Sequence, residues 1–206
     1  MKRLYLLRHG QTEFNVKKLV QGRCDSPLTD LGRQQAQAAA EWIKAHGVVP
    51  DKVVSSPLGR AMDTASLVAC EILGPDAAVE PCEGTIERCY GTFEEGPHDA
   101  LPTDVWDPGE DLVLFGGEGS RALQERMVDT LTNLMGAEGI ETLLAVSHGS
   151  ASRQFIKAAA PEGFELPAKL PNCAIMIFDF DDAREEDDTP QCKFTLQQIV
   201  DPQQSH

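Results

Sequence analysis

Four consecutive apolar residues, Leu4, Tyr5, Leu6 and Leu7, follow a Lys-Arg opening and stop at Arg8-His9-Gly10, which predicts a short buried strand ending in a polar turn. Residues 11 to 28 are polar and predict a loop longer than the usual few residues. The Ala-rich stretch Gln34 to Ala45 predicts a helix, with Thr29 or Asp30 as its cap and Gly47 as its end. Lys52 to Val54 reads as a second strand, and Ser55-Ser56-Pro57 as the start of a helix running to about Leu73, where Gly74-Pro75 stops it. Val79 to Cys82 and Thr85 to Tyr90 read as extended chain closing at Gly91. Leu123, Met127, Leu131 and Leu134 fall near helical spacing and predict a helix over roughly Gly119 to Met135, capped by Ser120. The clearest strand, Thr142 to Val146, ends at Ser147-His148-Gly149 and leads into a helix from Ser150 to about Ala160. Cys173 to Phe180 and Lys193 to Val200 complete the sheet around an acidic tract, Asp181 to Asp188, read as a solvated turn. Residues 181 to 191 and the last six read as disordered.

Strand, loop and helix alternate, which predicts an α/β fold on a largely parallel sheet. In such sheets ligands bind beyond the carboxyl ends of the strands. Arg8, His9, Arg60 and His148 would therefore emerge at one edge, Arg60 on the first turn of its helix, where the helix N-terminus also favours anions. An arginine beside a histidine suits a phosphoryl group: the guanidinium grips two oxygens with a planar fork, and imidazole attacks phosphorus. Gly10 would let the backbone approach whatever is bound.

The chain has 206 residues, enough for one domain (1 to 206) with a sizeable core. Its net charge of -15 argues against nucleic acid and anionic membranes as partners, since the field of the whole molecule repels both. No signal peptide or spanning segment is read in it, which predicts a cytoplasmic protein, monomer or homodimer. The six cysteines show no metal-site or disulfide spacing and read as free thiols. Cys24 stands out, because it lies in a loop beside a cationic site that would favour its thiolate. From Cys89 to Ser120 there is no Lys or Arg, against Glu94, Glu95, Asp99, Asp104, Asp107, Glu110, Asp111 and Glu118. Residues 92 to 120, rich in Pro and Gly, read as a lid or irregular insertion, most of its carboxylates forming a solvated face.

Several separated motifs occur in order: Leu7-Arg8-His9-Gly10-Gln11-Thr12 with Asn15; Gln21-Gly22-Arg23 and Asp25-Ser26-Pro27-Leu28-Thr29 with Gly32; Ser55-Ser56-Pro57-Leu58 with Arg60 and Ala61; Glu87 with Gly91; and Ser147-His148-Gly149. Together they resemble the histidine phosphatase superfamily, in its phosphoglycerate mutase-like branch (branch 1). The resemblance implies a three-layer α/β/α fold on a largely parallel mixed sheet with one antiparallel strand. It also implies that His9 attacks phosphorus and carries the phosphoryl group as a phosphohistidine, with Arg8, Arg60 and His148 around the equatorial oxygens. Glu87 is the implied general acid; its spacing to Gly91 fits the family pattern, which Glu83 does not. Thr12, Asn15, Gln21, Gly22, Tyr90 and Gly149 are implied substrate-binding residues, with Asn172 a further one. No metal is called for, because cationic and donor groups surround the phosphate.

Glu87-Arg88-Cys89-Tyr90-Gly91 looks like the Glu-Arg-x-Tyr-Gly of the mutases, which would need a bisphosphoglycerate primer; a phosphatase needs no cofactor. The mutase continuation, with a lysine soon after and paired arginines in a long insertion, is absent, and Glu94-Glu95-Gly96 is close to a phosphatase ending. The reading is therefore a metal-independent phosphatase of a small phosphomonoester, with phosphoglycerate mutase-type transfer or a non-catalytic phospho-ligand binding module as alternatives. The acidic lid argues against a polyanionic leaving group. Trp106, Phe115 and Phe93 are read as stacking on a ring or closing the core of the lid.

Overall fold

A computed structural model describes residues 1–182 and 192–204. Its frame is one six-stranded sheet: β1 (Lys2–Arg8), β2 (Lys52–Ser55), β3 (Glu80–Pro81), β4 (Thr142–Ser147), β5 (Ile175–Phe180) and β6 (Phe194–Val200). The strand order is β3-β2-β4-β1-β5-β6. β3, β2, β4 and β1 pair in parallel, while β5 runs antiparallel to both β1 and β6, so one strand is reversed as expected.

The alternation in β1 explains the two packed layers. Leu4 and Leu6 face one side, where α4 (Ser120–Gly136) and α5 (Gly149–Ala159) bring Leu123, Met127, Leu131 and Phe155. Tyr5 and Leu7 face the other, against Ala36, Ala39, Ala40 and Ile43 of α2 (Asp30–Ala45) and Ala65 and Val68 of α3 (Gly59–Leu73). The alanines of α2 let it lie close to α3. Each fully buried leucine contributes about 2 kcal/mol of transfer free energy. No helix among the described residues is long and apolar enough to cross a membrane.

Several local expectations are corrected. The loop from 11 to 28 contains a short helix, α1 (Glu13–Lys17), closed by a capping box between Thr12 and Asn15. Thr29 does cap α2, accepting from the Gly32 amide at 3.0 Å. α3 starts at Gly59, not at Ser55 to Pro57, because its cap comes from far away: the Asp25 carboxylate accepts from the Gly59 and Arg60 amides. Likewise, α4 has Gly119 at its cap position and Ser120 as its first residue; the Ser120 hydroxyl instead accepts from Arg88. The extended segment 79 to 82 keeps only the two residues of β3, and Glu83–Thr85 forms a 3₁₀ turn. Residues 201 to 204 are ordered, with Pro202 buried and Gln203 bonded to Gln35 and Asn172. Most of the acidic tract falls outside the described residues.

Gly10 has another purpose than the one expected of it. A Cβ there would lie 2.4 Å from the Gly32 carbonyl oxygen, and one at Gly32 would lie 2.1 Å from the Gln11 oxygen. The pair lets the exit of β1 cross the first turn of α2 in backbone contact.

Candidate active site

Register brings the two histidines together. Arg8 of β1 pairs with Ser147 of β4, so the next residues, His9 and His148, leave the sheet side by side. The His9 amide donates to the Ser147 oxygen at 3.0 Å, and the two imidazole centroids are 5.1 Å apart. β2 ends on the far side of β4, and Ser56 just beyond it lies 2.7 Å (Oγ) from His148 Nε2.

His9 Nδ1 lies 2.7 Å from the Gly10 oxygen, which as an acceptor fixes the proton on Nδ1 and leaves Nε2 as the free lone pair. Its pKa is held well below 6.5, first by burial and then by the charges of Arg60 and Arg8. His148 is held well below 6.5 for the same reasons, burial first and then Arg60, His9 and Arg8. Arg8 is lowered to about 10 by burial, with Glu87 opposing, and stays charged at neutral pH. One of its terminal nitrogens donates to the Leu170 oxygen, and its guanidinium lies 5.3 Å from the centroid of Trp106.

Arg60 spends most of its donors on the chain itself: on the Cys24 and Gly22 oxygens, both at 2.8 Å, and on Asp25 at 3.2 Å. It thus shapes the 22 to 25 loop while its charge bears on both histidines. Arg8 Nε, Arg60 Nε and His148 Nδ1 are buried and have no partner among the described residues. Three orphaned nitrogens around one imidazole are costly, roughly 1–3 kcal/mol each, unless an acceptor joins them.

Glu87 sits at the N-terminus of α5. Its carboxylate accepts from the amides of Arg88, Ser150 and Ala151 at 2.8, 3.1 and 2.9 Å. Glu83, the rival acid, is exposed and stands away from the cleft. The cleft, of about 220 Å³, is lined by Arg8, His9, Asn15, Gln21, Gly22, Arg60, Glu87, Tyr90, Gly149 and Asn172 from among the expected residues. Thr12 does not line it; it is fully buried and positions Gln21, donating to the side-chain oxygen at 2.9 Å. His148 lies just beneath, 0% exposed. Asn172 donates to the His9 carbonyl and to Asn15.

Lys18, His98 and Lys169 also line the cleft, and sequence reasoning missed them. They lie on three separate loops and carry no motif. Trp106 closes one wall, between Arg8 and Lys169, while Phe93 and Phe115 pack edge-on against each other. Trp106 is therefore engaged by cations, Phe93 packs against the small core of the lid, and Phe115 stays exposed at its edge.

Cys24 is not activated. Burial and then Glu94 push its thiol up to about 11, and its Sγ lies 3.2 Å from Glu94 Oε2. The expectation failed because the Arg60 cation meets the Cys24 carbonyl, while the thiol faces an acidic side chain 70 residues away. The acidic segment also turns from the cleft: none of its eight carboxylates lines it, and Glu87 is the one acid among the lining residues. Glu94 accepts from the Arg23 and Tyr90 amides, Glu118 pairs with Arg126, and Asp107 with Lys157 and Gln154. The acidic lid thus gives no ground for excluding an anionic leaving group.

Residues 4–189 match the model of the histidine phosphatase superfamily (branch 1). The chain belongs to that superfamily. A probable phosphoglycerate mutase GpmB of Proteus mirabilis is 32% identical over 186 residues, covering 87% of this chain and 86% of the relative. The histidine phosphatase fold is also seen in a phosphoserine phosphatase from Entamoeba histolytica, solved with 3-phosphoglyceric acid. That structure has 31% identity and a TM-score of 0.69, covering 87% of this chain and 91% of the other. A mycobacterial glucosyl-3-phosphoglycerate phosphatase superposes with a TM-score of 0.73 at 26% identity, covering 87% and 93%. The expected family and the phosphoglycerate mutase-like α/β fold are both met. Among the described residues no group of three or more His, Cys, Asp or Glu is placed to hold a metal ion.

Proposed function

We propose that this histidine phosphatase hydrolyses a small phosphomonoester in two steps through a phosphohistidine on His9. The observation that carries the reading is a neutral, buried imidazole with Nδ1 held by the Gly10 oxygen, among buried cationic nitrogens that lack acceptors. Nε2 attacks phosphorus in line, and the bond to the alcohol oxygen breaks as the new N–P bond forms. Arg8 and Arg60 oppose the charge on the equatorial oxygens. His148 joins them as a donor if the Ser56 hydroxyl donates to its Nε2, since Ser56 Oγ already accepts from the Leu58 amide and Nδ1 then carries the proton.

Glu87 protonates the leaving oxygen, and in the second step takes a proton from the water that attacks the phosphohistidine. His9 is thereby returned with its lone pair, and inorganic phosphate leaves. No step calls for a metal or a primer. The free cysteines suit a reducing cytoplasm, and the relatives named after small phosphate esters support a small-molecule substrate.

Arg88 speaks for hydrolysis over mutase-type transfer. It belongs to the stretch that resembles the mutases, yet its side chain does not line the cleft. It is fully buried and donates to Ser150 Oγ, Ser120 Oγ and the Glu118 oxygen, at 2.9, 2.9 and 2.8 Å. The decisive experiment is a rapid acid-free quench with a radiolabelled ester followed by alkaline gel. A base-stable, acid-labile label lost in His9→Ala is the expected result, together with phosphate release. Turnover without such an adduct refutes the mechanism.

A further inference from the structure

The mouth of the cleft holds a set of positive charges that phosphoryl transfer does not use. Lys2, Lys17, Lys44, Lys52, Lys157 and Lys193 each have a carboxylate within 4.0 Å. Lys18 and Lys169 have none among the described residues, and both line the cleft. In a chain with 33 acidic and 18 basic residues, unpaired lysines gathered at one opening call for an explanation.

Both are held there by backbone. Lys18 ends α1 in a left-handed conformation, φ 55°, and its carbonyl accepts from the His98 amide at 3.1 Å. His98 Nε2 in turn lies 3.2 Å from the Leu19 oxygen, so two hydrogen bonds tie His98 to the Lys18–Leu19 turn. Lys169 stands between carbonyls that two buried arginines grip: Arg153 takes those of Pro167 and Ala168, and Arg8 that of Leu170. Its ammonium lies 5.8 Å from the centroid of Trp106, the same ring that Arg8 approaches. Lys169 and Lys18 both act on the His98 imidazole, which burial chiefly, and then these charges, hold below its usual pKa. The three residues thus converge electrostatically, and the cleft lining offers no acid but Glu87 to neutralise them.

We infer that Lys18 and Lys169, with His98 tying the Lys18 turn in place, form a second anion subsite at the mouth of the cleft, so that the leaving alcohol of the substrate carries a negative charge of its own. This rests on the phosphatase reading for the position of the phosphoryl group. A carboxylate and a second phosphate share the required chemistry. Exposed lysines in water add modestly to affinity, about threefold each and about tenfold together, and the effect shrinks with salt.

The test measures binding to His9→Ala protein by calorimetry, so that it does not depend on turnover. The probes are 3-phosphoglycerate against glycerol 3-phosphate, which differ by a carboxylate, and fructose 1,6-bisphosphate against fructose 6-phosphate. Expected is a preference of about tenfold for at least one probe with a second anionic group over its counterpart without one. That preference falls to about twofold or less in Lys18→Gln/Lys169→Gln and persists in Lys44→Gln, which changes net charge elsewhere. The pair with the larger preference tells carboxylate from phosphate. Equal affinities within both pairs, or a preference that survives the double substitution, overturn the subsite. Phosphate release from glycerol 3-phosphate by the unaltered protein separately tests the phosphatase reading.

Discussion

Gly149→Ala is the substitution from which the most can be learned. A Cβ at this position, the first residue of α5, would lie 2.9 Å from Trp106 Cζ3 and 3.4 Å from Arg8 Nε. Ordinary carbon contacts lie at about 3.5–4.0 Å, so the indole must retreat by roughly 0.6–1 Å. It has little room to do so. Tyr90 donates to the Val105 oxygen at 2.7 Å on one side of it, and Asp107 is held by Gln154 and Lys157 on the other.

Overpacking of this kind costs about 1–3 kcal/mol, offset by about 0.5–1 kcal/mol from removing a helical glycine. The net loss of at most about 2.5 kcal/mol lowers the melting temperature by no more than about 10 °C in a chain of this size. Activity suffers more, because Arg8 lies against the displaced ring. A misplacement approaching 1 Å costs up to about 100-fold. The expected outcome is a fall in kcat on an aryl phosphate of about 10- to 100-fold with a smaller change in KM. In a Trp106→Leu background the same substitution costs about twofold or less, since the obstacle is gone. Full activity of Gly149→Ala, or an equal loss in both backgrounds, refutes the reasoning that a displaced Trp106 ring disturbs Arg8.

Two buried imidazoles set the acid response. His9 and His148 have folded pKa values well below 6.5, so below that pH the unfolded chain binds protons that the folded one does not. Stability holds above pH 6.5 and is lost as pH falls, by up to about 1.4 kcal/mol per pH unit for each imidazole. Urea unfolding at pH 7.5 and 5.5 reads this, and His148→Asn reduces the loss. Over the same range kcat stays level from pH 7 to 6, because His9 keeps its lone pair. Glu94→Gln removes the carboxylate that, after burial, holds Cys24 at about 11, so alkylation of Cys24 at pH 8, followed by peptide mass spectrometry, quickens by about tenfold. Arg88→Met strips the donors from Ser150, Ser120 and the Glu118 carbonyl inside the protein and lowers unfolding free energy by about 3 kcal/mol, measured in denaturant.

The sequence by itself determined the main strands of the sheet and the edge at which both His-Gly turns emerge. Leu4 to Leu7 and Leu143 to Val146 are runs that only a buried strand accommodates, and each ends at a His-Gly turn. Parallel pairing of two such strands leaves little choice but to set His9 and His148 side by side. Arg60 was legible because it follows a strand and opens a helix, whereas Glu87 came from the family resemblance, whose pattern its spacing to Gly91 fits. What the tertiary structure alone decided depends on where loops travel. The cap of α3 is Asp25, contributed from 34 residues before Gly59. Thr12 turned inward to hold Gln21, and the Cys24 thiol met Glu94 while its carbonyl took the Arg60 cation. The carboxylates of the acidic segment turned away from the cleft, while Lys18, His98 and Lys169 assembled at its mouth from three loops. Periodicity reports which face of an element is buried, an interaction of neighbours a few residues apart. Charge at the cleft is set by residues about 70 to 150 positions apart, and no local pattern carries that information.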